Sequence, residues 1–101
     1  MQPQVTKNQN KPQEKPQYIA LYVGNAGEIF SLGIFTDIEK AWGRIMLNIW
    51  EQAYQYQDPK DEFKIGLPDV DDYGDLFIEI EFKYHSWDKS IREEYRIISA
   101  N

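Results

Sequence analysis

Residues 36–56 read TDIEKAWGRIMLNIWEQAYQY, and this run decides the fold. At about 100° per residue, its apolar positions fall on two sides of a helix instead of one. Ile38, Ala41, Trp42, Ile45, Met46, Ile49, Ala53 and Tyr56 form a broad stripe of the kind that faces a core. Leu47, Trp50 and Tyr54 lie on the opposite flank, with Gly43 one turn before them. The spacing predicts a helix from Asp37 to Gln55. Thr36 opens it as a capping box with Glu39, and Asp58-Pro59 ends it. A surface helix needs only the first stripe. The second must be covered by more of this chain, with Trp87, Ile91 and Tyr95 as candidates, or by a partner. Gly43 inside the helix costs about 1 kcal/mol relative to alanine, and it lies where another backbone could approach.

The flanking segments read as strands. Tyr18 to Val23 (YIALYV) is a continuous apolar and aromatic run, suited to a central strand or one buried on both faces. Gly24-Asn25-Ala26-Gly27 is a turn, and Glu28 to Phe35 returns as the second strand of an antiparallel hairpin. Phe30, Leu32 and Ile34 are expected to face the helix, and Gly33 marks a close approach or a bulge. After the helix, Glu62 to Leu67 is a short third strand, and Pro68 to Gly74 an acidic loop. Asp75 to His85 alternates strictly. Leu76, Ile78, Ile80, Phe82 and Tyr84 point one way, and Phe77, Glu79, Glu81, Lys83 and His85 the other. Residues 86–101 fit a short helix or a hairpin, with a turn at 87–91 and a strand from Glu93 to Ser99 preferred. The fold class is therefore α+β. A small, mainly antiparallel sheet in the order ββαββ, with a fifth C-terminal strand or short helix, carries one long helix packed on one face.

The run from Tyr18 to Ala41, a strand, a glycine turn and then SLGIFTDIEKA, resembles the opening of many small uncharacterised ββα domains of bacteria and their phages. They share an apolar-Gly-apolar-Phe-Ser/Thr step into a capped helix. The likeness covers about a quarter of the chain. It implies a topology, and activity does not follow from topology.

Composition bounds the rest. A chain of 101 residues allows one domain, here residues 18–101. Residues 1–17 are mostly Gln, Asn, Lys and Pro with little beyond Val5 able to enter a core, so a disordered polar tail is expected. The tail has no apolar signal region, and no stretch approaches the roughly 20 apolar residues of a membrane span, so a cytoplasmic protein is expected. The absence of cysteine excludes a disulfide framework and a thiolate metal site.

The net charge is −6, and residues 58–81 hold nine carboxylates against two lysines. Such a field repels nucleic acid and membrane phosphates and attracts basic surfaces. Asp69, Asp71, Asp72, Asp75, Glu79 and Glu81 could imitate a phosphate path in a basic groove. Asp69 to Asp75 lacks the ligand pattern of a calcium loop, and Lys83 beside Glu81 and His85 disfavours a cation there. His85 is the sole histidine, and no serine or cysteine nucleophile motif exists, so neither an enzyme nor a bound cofactor or metal is expected. The expectation is a small acidic protein-binding module, a phage or mobile-element inhibitor or adaptor. Its contacts would be those carboxylates, the Leu47–Trp50–Tyr54 flank, or both. The alternative is a homodimer or assembly subunit joined through that flank.

Overall fold

The structure, a computed structural model, describes residues 16–55 and 58–99. Most of the expected tail, Tyr56 and the last two residues lie outside that range. Six strands and one helix follow in order: β1 (Tyr18–Val23), β2 (Ile29–Phe35), α1 (Ile38–Ala53), β3 (Glu62–Ile65), β4 (Asp69–Val70), β5 (Leu76–Lys83) and β6 (Ile91–Ser99). They form one sheet in the order β2-β1-β6-β5-β3, with β4 also pairing with β5, and every pairing is antiparallel. The class is thus α+β, with more strands than the expected ββαββ. The acidic loop contains β4, and the C-terminal segment is a strand, not a helix. Hairpin closure from β5 puts β6 between β1 and β5, so the last strand is the middle of the sheet.

Cross-strand register separates two faces. Tyr22, Tyr95 and Ile78 stand opposite one another, as do Ala20, Ile97 and Leu76. This face supplies Ala20, Ile78, Ile80, Phe82, Tyr95 and Ile97 to the core, where they join Ala41, Ile45 and Ile49 of the helix. The alternation read in residues 76–84 therefore holds: Ile78, Ile80 and Phe82 are buried and Glu79 is exposed.

Two local expectations need correction. The first concerns β2. Ala20 pairs with Gly33 but Leu21 pairs with Ser31, so Leu32 is an extra residue in a bulge. One inserted residue reverses the parity beyond it. Ile34 consequently stands opposite Ile19 and is 62% exposed instead of facing the helix. Gly33 takes φ 140, a conformation open to glycine and strained for other residues. The second concerns the helix start. Asp37, not Thr36, is the N-cap: its backbone is extended and its carboxylate accepts from the Glu39 amide at 2.8 Å. An anionic cap also interacts with the positive end of the helix dipole, which a threonine hydroxyl cannot do. The helix ends at Ala53 with Tyr54 as C-cap, slightly short of the expected Gln55.

Tyr95 ties helix to sheet. It is fully buried, and its hydroxyl accepts from Asn48 Nδ2 at 2.6 Å and from Gln52 Nε2 at 3.0 Å. Burial raises the hydroxyl's pKa, so it remains a neutral partner at ordinary pH. Tyr95→Phe should cost about 1–3 kcal/mol in urea unfolding followed by circular dichroism, because two amides lose their acceptor. A loss under about 0.5 kcal/mol would mean that solvent already serves them. Gly33→Ala should cost about 1–3 kcal/mol by the same measurement, since the strained φ persists for any side chain. An unchanged stability there would place the bulge elsewhere.

Candidate functional site

The arc of α1 that meets the sheet fixes the arc that does not. Asn48 and Gln52 bind Tyr95 on β6, and Ala41, Ile45 and Ile49 are buried. Gly43, Leu47, Trp50 and Tyr54 are then turned away from the core by the helical angle. Leu47 is 53% exposed, Trp50 71% and Tyr54 74%. Met46, expected in the core stripe, is also exposed and widens this surface. A shallow depression of about 350 Å³ lies between Trp50, Glu51 and Tyr54. A Cβ on Gly43 would meet nothing within 4 Å.

Among the described residues, Trp87, Ile91 and Tyr95 do not cover this flank. Ile91 and Tyr95 belong to β6. Trp87 lies edge-on to Tyr84 with ring centres 4.4 Å apart, and beside Phe82 at 6.4 Å. It packs against the core from the end of the β5–β6 hairpin and has no role on the helix's outer side.

Of the six carboxylates singled out from the sequence, Asp71 and Glu81 are engaged by cations or hydroxyls of the chain. Asp71 builds the β4–β5 turn: it accepts from the amides of Tyr73 and Asp75, both at 2.9 Å, and pairs with Arg96 Nη1 at 2.6 Å. The Arg96 bond, followed by the turn amides, holds the Asp71 carboxyl below its ordinary range, and Asp71 in turn raises Arg96. Arg96 also bonds Glu94 and lies 5.3 Å over the Phe77 ring. Glu81 accepts from Ser90 Oγ at 2.6 Å, which lowers its pKa, and has Arg92 Nε at 3.9 Å. Asp69 bonds its neighbour's amide, Asp75 is half-buried, and Asp72 and Glu79 are exposed. Two shallow cavities of about 300 Å³ flank Glu79, and Arg92 lines both. Cations of the chain therefore interrupt the acidic strip.

His85 stands apart from Glu79 and Glu81. Its backbone amide and Nδ1 both contact Asp61 Oδ1, at 2.8 and 2.9 Å, which ties the end of β5 to the entry of β3. The amide bond is the larger cause of a lowered Asp61 pKa. Among the described residues no group of three or more His, Asp or Glu side chains is placed to hold a metal ion. No helix among them is long and apolar enough to cross a membrane.

Sequence reasoning missed a second apolar group, Ile29, Phe30 and Ile34 on edge strand β2, all more than half exposed. Gly33 inside the strand pattern was the signal that could have found the turned-out Ile34. No family model, no curated protein and no solved structure matches the chain.

Asp71 gives this half of the molecule a pH dependence. Its folded pKa lies below the unfolded value, so its bonds stabilise the fold above about pH 4 and are lost as pH falls through the folded value. Asp71→Asn keeps the turn acceptor and loses the charge pair. Its stability should fall less steeply between about pH 4 and 2 than that of the parent, measured by urea midpoints across that range. Parallel curves would remove Asp71 from the acid transition.

Proposed function

We propose that this chain is a small acidic protein-binding module, an adaptor or inhibitor, and that it binds through the outer flank of α1. In this reading the helix lies on one face of the sheet and offers its far side to another protein. The observation that carries it is the exposure of Trp50 at 71%, in line with Leu47 and Tyr54 on a regular helix. Scattered apolar residues on a surface need no explanation, but an aligned aromatic group does. Tryptophan and tyrosine are also the residues most often found to dominate binding energy.

The carboxylates have a lesser part here. Asp71 and Glu81 are engaged within the chain, which leaves a shorter acidic strip than a phosphate imitation requires. They keep the molecule soluble and steer it toward basic surfaces.

The reading is tested by capture on the immobilised full chain at low and high salt, with Trp50→Ser and Asp72→Asn/Asp75→Asn compared against the parent. Capture should survive high salt, weaken about thirtyfold in Trp50→Ser, and change little in the acidic variant. Loss confined to the acidic variant, or equal capture by all three, would overturn it.

A further inference from the structure

This inference rests on the reading of the helix flank as a contact surface, and it names the occupant. We propose that the partner is a second copy of this chain, its helix antiparallel to the first, with Gly43 opposite Tyr54 and Leu47 opposite Trp50 of the other copy.

The spacing points to a helix as the occupant. Gly43, Leu47, Trp50 and Tyr54 follow at steps of four, three and four, the narrow seam of a heptad. A sheet edge or a flat surface would not select that rhythm. The sizes point to an antiparallel copy. Reversing the seam against itself sets glycine against tyrosine and leucine against tryptophan, so each large ring meets a smaller residue. The glycine leaves open space where a Cβ would meet nothing within 4 Å. A parallel pair would stack Trp50 on Trp50 and leave a gap between two glycines.

Charge agrees. Arg44 and Glu51 border the same side of the seam, and neither forms an ion pair among the described residues. In the antiparallel arrangement each Arg44 comes beside the other copy's Glu51. Two chains of net charge −6 repel, and this seam carries no carboxylate of its own. Lys40 is the next position along it. The place opposite Lys40 lies past the end of the other helix, so the ammonium stays in water. The seam and Met46 can bury on the order of 500 Å² per copy, near the lower limit for a specific interface. Dissociation is therefore expected in the micromolar range.

Sedimentation velocity of the full chain from about 1 to 300 μM tests the proposal. The mass should rise from one chain to two. Leu47→Glu should abolish the rise with an unchanged circular dichroism spectrum. Arg44→Glu should raise the dissociation constant about tenfold, and Arg44→Glu/Glu51→Arg should restore it, which misfolding cannot imitate. The chain has no cysteine, so register can be read directly. Oxidising a mixture of Arg44→Cys and Glu51→Cys chains should give mainly the mixed disulfide. Like-with-like disulfides, or a dimer indifferent to Leu47→Glu, would overturn the arrangement. A monomer at every concentration would overturn the self-pairing, and acrylamide quenching of that monomer in a Trp42→Phe/Trp87→Phe background, where Trp50 is the sole emitter, then separates the two readings. An open Trp50 leaves the contact surface intact for another protein, and a shielded Trp50 removes both.

Discussion

Tyr95 sits in the middle strand of the sheet with its ring fully buried, and its hydroxyl is shared by Asn48 and Gln52 of the helix. Hydrophobicity alone leaves the rotation of this helix open, because apolar residues cover well over half of its circumference. Turning Leu47 or Trp50 inward would also bury grease. It would swing Asn48 and Gln52 off Tyr95 and leave a buried hydroxyl unsatisfied, at a cost of about 1–3 kcal/mol. Ala41 and Ala20 add a size constraint, since both are completely buried in the core. The polar bonds set the angle, and the angle decides which apolar residues remain outside.

The same arrangement divides the molecule by charge. β2 carries no charged side chain, and on the outer side of the helix the charges stand at the margins of the stripe from Gly43 to Tyr54. The charged residues of the sheet stand on β3, β4, β5 and β6, where register brings Glu62 to Lys83, Lys64 to Glu81 and Glu81 to Arg92, and also sets Glu79 against Glu94. Opposite charges across a strand pair support the sheet, and they also neutralise the face. Glu93 supports the far hairpin in a similar way, accepting from the Tyr22 hydroxyl and the Asn25 amide. Burial, then the bond to Glu93, keeps that tyrosine protonated. Much of what looks in the sequence like an acidic binding surface is therefore used to hold strands and turns.

The parts of the fold legible in the sequence are those with one period throughout. Residues 76–84 alternate without interruption, and the helix keeps one angle from Ile38 to Ala53, so both the inward and the outward residues could be named. Legibility failed where a count changed. The bulge at Leu32 inserts one residue, and every side chain after it in β2 turns over. β4 is two residues long and is stabilised by pairing with β5 and by the Asp71 turn, neither of which is a local pattern. The C-terminal segment fits two periods, and the hairpin with β5 decides between them. The exposure of Trp50 depends on where Trp87 and Tyr95 go, which no window around residue 50 contains.

Gly43 gives the outward stripe its meaning. A glycine in the middle of a helix weakens it by about 1 kcal/mol relative to alanine, and a domain of this size has only a modest margin. Close packing within the chain is the usual compensation. Here the open space around a Cβ at Gly43 rules that out among the described residues, and its backbone is an ordinary helical one with no positive φ to require glycine. Trp50 and Tyr54, about two and three turns further along that side, present large surfaces to water and give the core nothing in return. A gap and two projecting rings on one line are each unfavourable for the isolated fold. Together they have the shape of half a joint, in which the gap receives a ring. The residues that the fold does not use are thus arranged in relation to one another, and on that relation the proposed contact surface rests.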